Sequence, residues 1–163
     1  MLDKVKQLNL PMGVWQSKIE KALGEFRLDS NRAARPKTTV TVSYPDVYTA
    51  KFSVDLVVDS KYNPTKVVHL ARFSLSFLPS CAGIIVSHGL FVSELYRGNG
   101  IAQKLQDIKK EIARDLKASL ILATVNVENA PQKSILNKFG WQAIKSFFNK
   151  KTGNQIEIQV IDL

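Results

Sequence analysis

Apolar positions along the chain follow a period of two in the first half and a period of three to four later on. Residues 38–44 are β-branched and bounded by Pro45; residues 48–58 alternate, with Phe52, Val54 and Leu56 on one side. Residues 66–77 alternate as well, through Val68, Leu70, Phe73, Leu75 and Phe77, with a shift at Ala71–Arg72 that predicts a bulge. The apolar run 83–92 makes a fourth strand, and turn residues at short spacing between the four predict antiparallel hairpins. The period then lengthens. Ile101, Leu105, Ile108, Ile112 and Leu116 form one stripe of an amphipathic helix. Residues 119–125 are almost continuously apolar and predict a fifth strand buried on both faces. A strand, helix and strand of these lengths make a βαβ unit, so the fourth and fifth strands should run parallel.

Outside that middle stretch the pattern is plainer. Residues 1–10 suit a short helical turn before Pro11, with Leu2, Val5 and Leu8 as its apolar positions. Residues 14–26 suit a helix with Val14, Trp15, Ile19, Leu23 and Phe26 on one face, and residues 28–36 read as a polar loop or linker. Near the C-terminus, Asn129 can cap a helix with Pro131 in its first turn, and Gly140 can end it. Residues 141–148 and 155–161 alternate around a polar turn and predict a closing hairpin. Residues 1–163 are thus expected to form a single domain: helix and linker over 1–36, antiparallel strands over 37–92, and a ligand-binding half over 93–163.

The junction between the fourth strand and the long helix carries the candidate chemistry. Gly98 and Gly100 bracket Asn99, and the helical stripe begins at once. A strand, a glycine-rich turn and a helix start converge N–H groups and the positive end of the helix dipole on one point, which is an anion site. A plain surface turn is the competing reading. The spacing fits neither the dinucleotide fingerprint nor a Walker loop.

Arg97, Gly100 and Ala102 resemble the R-x-x-G-x-A signature of the GNAT superfamily of acyl-CoA-dependent N-acyltransferases. A second motif agrees, since Asn129 precedes Gly140-Trp141 with the aromatic twelve residues on, where many members carry Asn and then Gly-Phe. The resemblance covers roughly residues 83–145. It implies a mixed α/β fold: a central sheet with antiparallel N-terminal strands, a parallel pair (the fourth and fifth strands) splayed at its carboxyl ends, and flanking helices. It also implies acetyl-CoA as cofactor and transfer of an acetyl group to an amine. Pantetheine would pair with backbone groups of Leu90, Phe91 and Val92, and pyrophosphate would rest on Gly98, Asn99, Gly100, Ile101 and Ala102 with Arg97 adding charge. Asn129 would bond pantetheine or only cap its helix. Gly89 inside the strand predicts a bulge or a packing glycine.

An amine of lysine-like pKa must lose a proton before it attacks, which calls for a general base. His88 is the first candidate, sharing strand parity with Leu90 and Val92, and Glu94 the second; a core role for His88 stays open, and His69 reads as structural. Protonating the departing thiolate is often the work of a tyrosine seven residues after the helix-start asparagine, but that position is Leu136 here. Tyr96 reads as a packing residue. No metal site is expected.

Composition adds limits. Apolar residues make up 45% and charged residues 23% of the 163, an ordinary globular balance. No stretch predicts a membrane span or a secretory signal, and the single cysteine, Cys81, suits a reducing cytoplasm. The net charge of +9 divides as +5 over residues 1–80 and +4 over 81–163, so no basic tail singles out nucleic acid. The charge still permits an alternative: an inactive or weakly active protein on this scaffold that binds nucleic acid or a protein partner. The amine acceptor could itself be a small molecule, a protein, or a nucleic acid such as aminoacyl-tRNA.

Overall fold

The computed structural model describes residues 12–24, 26–29, 32–34, 36–46, 49–59 and 67–163. The helical turn expected within residues 1–10 lies outside them. Helix α1 (Met12–Leu23) is followed by two short strands, β1 (Phe26–Asp29) and β2 (Arg32–Ala34), and then by β3 (Lys37–Asp46), β4 (Thr49–Asp59), β5 (Val67–Leu78) and β6 (Cys81–Val92). After a 3-10 turn at Glu94–Tyr96 come α2 (Ile101–Asp115), β7 (Leu120–Asn126), α3 (Ala130–Lys138), β8 (Gln142–Phe148) and β9 (Gln155–Asp162). One sheet holds seven strands in the order β3-β4-β5-β6-β7-β9-β8. Within it β6 and β7 are parallel and the other neighbours antiparallel. This is the mixed α/β arrangement that the pattern predicts.

Several details differ from the expectation. Strands β1 and β2 form a small antiparallel pair, Phe26 opposite Ala34 and Arg27 opposite Ala33, where a helix end and a linker were expected. Strands of three and four residues are too short to display a period, so composition alone suggests a loop. Helix α1 stops at Leu23 because Gly24 turns left-handed at φ +59°. Finally, β7 is buried on one face only: Ile121, Ala123 and Val125 are buried, while Leu120 and Leu122 are half-buried and Thr124 is exposed.

That one-sidedness follows from where the helices sit. Trp15, Ile19 and Leu23 of α1 are buried over the sheet, with the Trp15 ring edge-on to Phe52 at 5.6 Å; Val14, expected on the same face, is exposed. Trp15 Nε1 donates to Asp115 at 3.0 Å and Lys104 Nζ donates to the Leu23 carbonyl at 3.1 Å, tying α1 to α2. The stripe Ile101, Leu105, Ile108, Ile112 and Leu116 is buried throughout, as its spacing predicts. Each such side chain contributes roughly 1.5–3 kcal/mol by leaving water. Helix α3 covers the same face, since Leu136 is buried and Lys133 pairs with Glu157 of β9 at 2.9 Å. The sheet's share of this core includes Phe52, Val54, Leu56 and Val58 of β4, Phe73, Leu75 and Phe77 of β5, and Ile85 of β6.

The bulge predicted near Ala71 is present. Leu56 stands opposite Ala71 and Val57 opposite His69, so Leu70 is the extra residue, and both Leu70 and Ala71 are buried. Among the described residues no helix is long and apolar enough to cross a membrane.

Candidate active site

Two strands that begin as neighbours part in the middle of the sheet. Strands β6 and β7 pair from Ile84–Leu120 to Ser87–Ala123 and no further, although β6 continues to Val92 and β7 to Asn126. On its other side β6 stays paired with β5 out to Ala71–Val92. The separation therefore belongs to the β6–β7 side alone.

Gly89 supplies the device that turns β6 away. His88 is opposite Ser74 and Phe91 is opposite Arg72, so Gly89 and Leu90 share the single residue Phe73 across the ladder. Gly89 has φ +54°, a conformation glycine adopts at no steric cost. This is the bulge its position in the strand predicts. The bulge also corrects the predicted parity. Leu90 and Val92 pack against the core, whereas His88 and Phe91 lie on the face away from the helices. There Phe91 carries the Arg72 guanidinium 5.5 Å from its ring centroid, and His88 Nε2 lies 2.8 Å from Ser76 Oγ. One extra residue reverses the side on which every later side chain falls.

Beyond Val92 the chain makes the glycine turn. Gly98 has φ +82° and Gly100, the residue capping α2, has φ +71°. The Asn99 amide donates to the carbonyls of Tyr96 at 3.1 Å and Arg97 at 3.5 Å, so its side chain braces the loop. Tyr96 is buried beneath it. The first turn of α2 holds no acidic residue, which leaves the positive end of its dipole unopposed there. Arg97 Nε donates to the Val92 carbonyl at 3.1 Å, and its Nη1 lies 3.3 Å from Glu94. With its arginine and glutamate side chains 58% and 83% exposed, that ion pair contributes little to stability.

Loop, strand end and the start of α3 enclose a crevice of about 570 Å³. Leu90, Phe91, Val92, Arg97, Gly98, Gly100, Ile101, Ala102 and Asn129 all line it; of the predicted cofactor residues only Asn99 does not. Sequence reasoning missed Gln103, Pro131, Gln132 and Ile135 on the same walls. Asn129 caps α3, its side-chain oxygen accepting from the Gln132 N–H at 3.2 Å. A second, inner cavity of about 170 Å³ fills the gap between the parted strands and shares Leu90, Asn129 and Gln132 with the first.

The two predicted catalytic residues stand apart from these cavities. Neither His88 nor Glu94 lines one. The His88 ring nevertheless has its pKa pushed below the ordinary 6.5, first by desolvation and then by the charges of Lys51 and Lys109. Leu136 is buried in the core, and no tyrosine takes its place along the described part of α3. Lys109 was not foreseen. It lines the inner cavity from α2, and the only signal for it is its place beside the apolar stripe, three residues after Gln106 and four before Ala113, both of which are also buried.

No protein-family model matches the chain, and no curated protein matches it in sequence. Solved structures do match. A chain of the NatC complex bound to Gag peptide and CoA superposes with a TM-score of 0.59 at 18% identity, covering 68% of this chain and 70% of that one. A GNAT-family chain from Desulfovibrio desulfuricans gives 0.56 at 12% identity, over 68% of each chain. The spermidine N-acetyltransferase from Vibrio cholerae in complex with CoA and spermine gives 0.53 at 15%, over 71% of this chain and 66% of that one. With its parallel pair parting at the carboxyl ends beside a glycine loop, this chain has the fold of the GNAT acetyltransferases.

Proposed function

We propose that the protein is an acyl-CoA-dependent N-acetyltransferase that moves an acetyl group from acetyl-CoA to an amine. The observation that carries this reading is the gap opened after Ser87 and Ala123, with the Gly98–Gly100 loop at its mouth. We read residues 1–163 as one domain whose 93–163 half holds the cofactor, in a reducing cytoplasm that suits the lone Cys81.

The loop is open to a phosphate. A Cβ added at Gly98 would meet no atom within 4 Å, and one at Gly100 would meet only Gln103 Oε1 at 3.8 Å. Glycine is therefore required by the backbone angle, while the space beside it stays free for a ligand. The N–H groups from Gly98 to Ala102 would hold the pyrophosphate, and Arg97 would add its charge. Leu90 and Phe91 would offer backbone groups to pantetheine along the edge that β7 leaves, as an added strand. The Val92 carbonyl already accepts from Arg97, so it is the weaker partner. Asn129 lies at the far wall.

The bound cofactor supplies the acetyl thioester; the chain must supply a base. His88 is the proposed base, since its lowered pKa keeps the ring neutral near pH 7 and able to accept a proton. Its position on the face away from the helices has the acceptor amine approach from that side. Glu94 is second, because its carboxylate is engaged with Arg97. That two structural neighbours hold CoA together with a peptide or a polyamine supports an amine as the acceptor class. A nucleic-acid contact gains no support from those neighbours, and the dispersed charge does not point to one.

Titration calorimetry with acetyl-CoA tests the reading. Binding that is saturable in the micromolar range is expected, with coenzyme A copurifying and detectable by mass spectrometry. No heat at millimolar ligand would end it.

A further inference from the structure

Lys109 lies in the middle of α2 and is fully enclosed. Its Nζ donates to Ser87 Oγ at 2.9 Å and stands 5.3 Å from the Phe73 ring centroid. Among the described residues no carboxylate is within ion-pair distance of it. A buried ammonium without a counter-charge is costly, and native proteins rarely keep one without use.

Its location suggests that use. Lys109 forms part of the inner cavity together with Ser87, Gly89, Leu90, Asn126 and Asn129. It is eight residues into α2 from Ile101, roughly 12 Å along the helix from the glycine loop. An arm lying like an added strand covers that distance in about four residues' length. Gln106, one turn nearer the loop, is also buried, and neither its amide nitrogen nor its oxygen has a partner among the described residues.

We propose that the Lys109 ammonium, held by Ser87 at the floor of the gap between β6 and β7, protonates the sulfur of departing coenzyme A. It would thereby do the work for which Leu136 provides no tyrosine. This rests on the acetyltransferase reading. As the acceptor nitrogen bonds the carbonyl carbon, the carbon–sulfur bond breaks with its electron pair on sulfur. A proton passes from Nζ to that sulfur, leaving thiol and neutral lysine. The proton shed by the acceptor amine leaves through His88 to water, and Lys109 regains one from solvent once the products depart.

The surroundings suit a donor that works near neutral pH. Burial lowers the Lys109 pKa from 10.5 to about 7. Around it β5 presents Phe73, β6 Ser87, β7 Ala123 and Val125, and α3 the neutral Gln132. The titratable group that feels its charge is His88, next to Ser87 and on the opposite face of β6.

The test uses coenzyme A itself and needs no acceptor. Thiolate absorbance of bound coenzyme A is followed against pH in the unaltered protein and in Lys109→Met. A neighbouring ammonium should give roughly tenfold more thiolate at neutral pH than the variant shows, a shift of about one pKa unit. Equal titration in both proteins would overturn the role of Lys109 and leave the acetyltransferase reading intact. Failure of coenzyme A to bind the unaltered protein would overturn both. Should Lys109→Met not fold, the Lys109 side-chain resonances of the unaltered protein decide the matter. They should move with coenzyme A and not with an analogue bearing methyl in place of the thiol, and equal movement with both would overturn the proposal.

Discussion

Strands β4 and β5 are paired from Lys51–Ser76 to Asp59–Val67, interrupted by one bulge, whereas β6 and β7 pair over only four residues. The bulges in the two regions do different things. At Leu70 the extra residue lets two consecutive side chains enter the core while the ladder continues. At Gly89 the extra residue coincides with a strand leaving its neighbour. The first region thus spends its backbone groups on the fold and fills its interior with Phe52, Val54 and Leu56. The second leaves a gap and places an uncompensated lysine at its floor. The first region is closed and filled, and the second is left open.

The sharpest way to probe that division is the stability of Lys109→Met against pH. Because the folded pKa is depressed to about 7, the unfolded chain binds more protons than the folded one between about pH 7 and 10.5. Stability of the unaltered protein should therefore rise with pH across that window, and the full penalty should stand below it. The variant should be more stable by up to roughly 5 kcal/mol below about pH 7, with the gain shrinking toward pH 10.5, at 1.36 kcal/mol for each pKa unit. Urea unfolding at a series of pH values measures this; a gain that does not vary with pH would contradict it.

Phe52→Ala strikes the other region. It removes a ring that meets both Trp15 and Phe77 edge-on, and should cost about 3–5 kcal/mol. Acetyl-CoA affinity of the protein still folded should not change. A large loss of affinity would mean the two regions are coupled through the sheet.

Gly100→Trp should do the reverse. Its φ of +71° and its place at the mouth of the crevice predict a fall in acetyl-CoA affinity of roughly a hundredfold, about 2.7 kcal/mol. The accompanying loss of stability should be near 1 kcal/mol, from the left-handed backbone alone. Calorimetry paired with thermal unfolding separates the two, and unaltered affinity would remove the loop from the site.

Much of this was readable along the chain because it is local. The stripe from Ile101 to Leu116 is a statement about helix period, and all five residues are buried where that period puts them. Alternation placed Phe52, Val54 and Leu56 on one face for the same reason. The paired strands at Phe26–Asp29 and Arg32–Ala34 were not readable, since neither is long enough to show a period. His88 was given the parity of Leu90 and Val92, and the bulge at Gly89 reversed that. The bulge itself could be anticipated from glycine in a strand; its consequence for side-chain direction needed the register.

By itself, then, the sequence determined the longer elements and the glycine turn at Gly98 and Gly100, because backbone preference and the spacing of apolar residues act within a few positions. Only the tertiary structure decided where β6 and β7 separate and what Lys109 becomes. A lysine on a helix reads as a surface residue until Ser87, 22 positions earlier, and Phe73 close over it. Its proton affinity is set by the water those distant neighbours exclude, a property of the assembled environment.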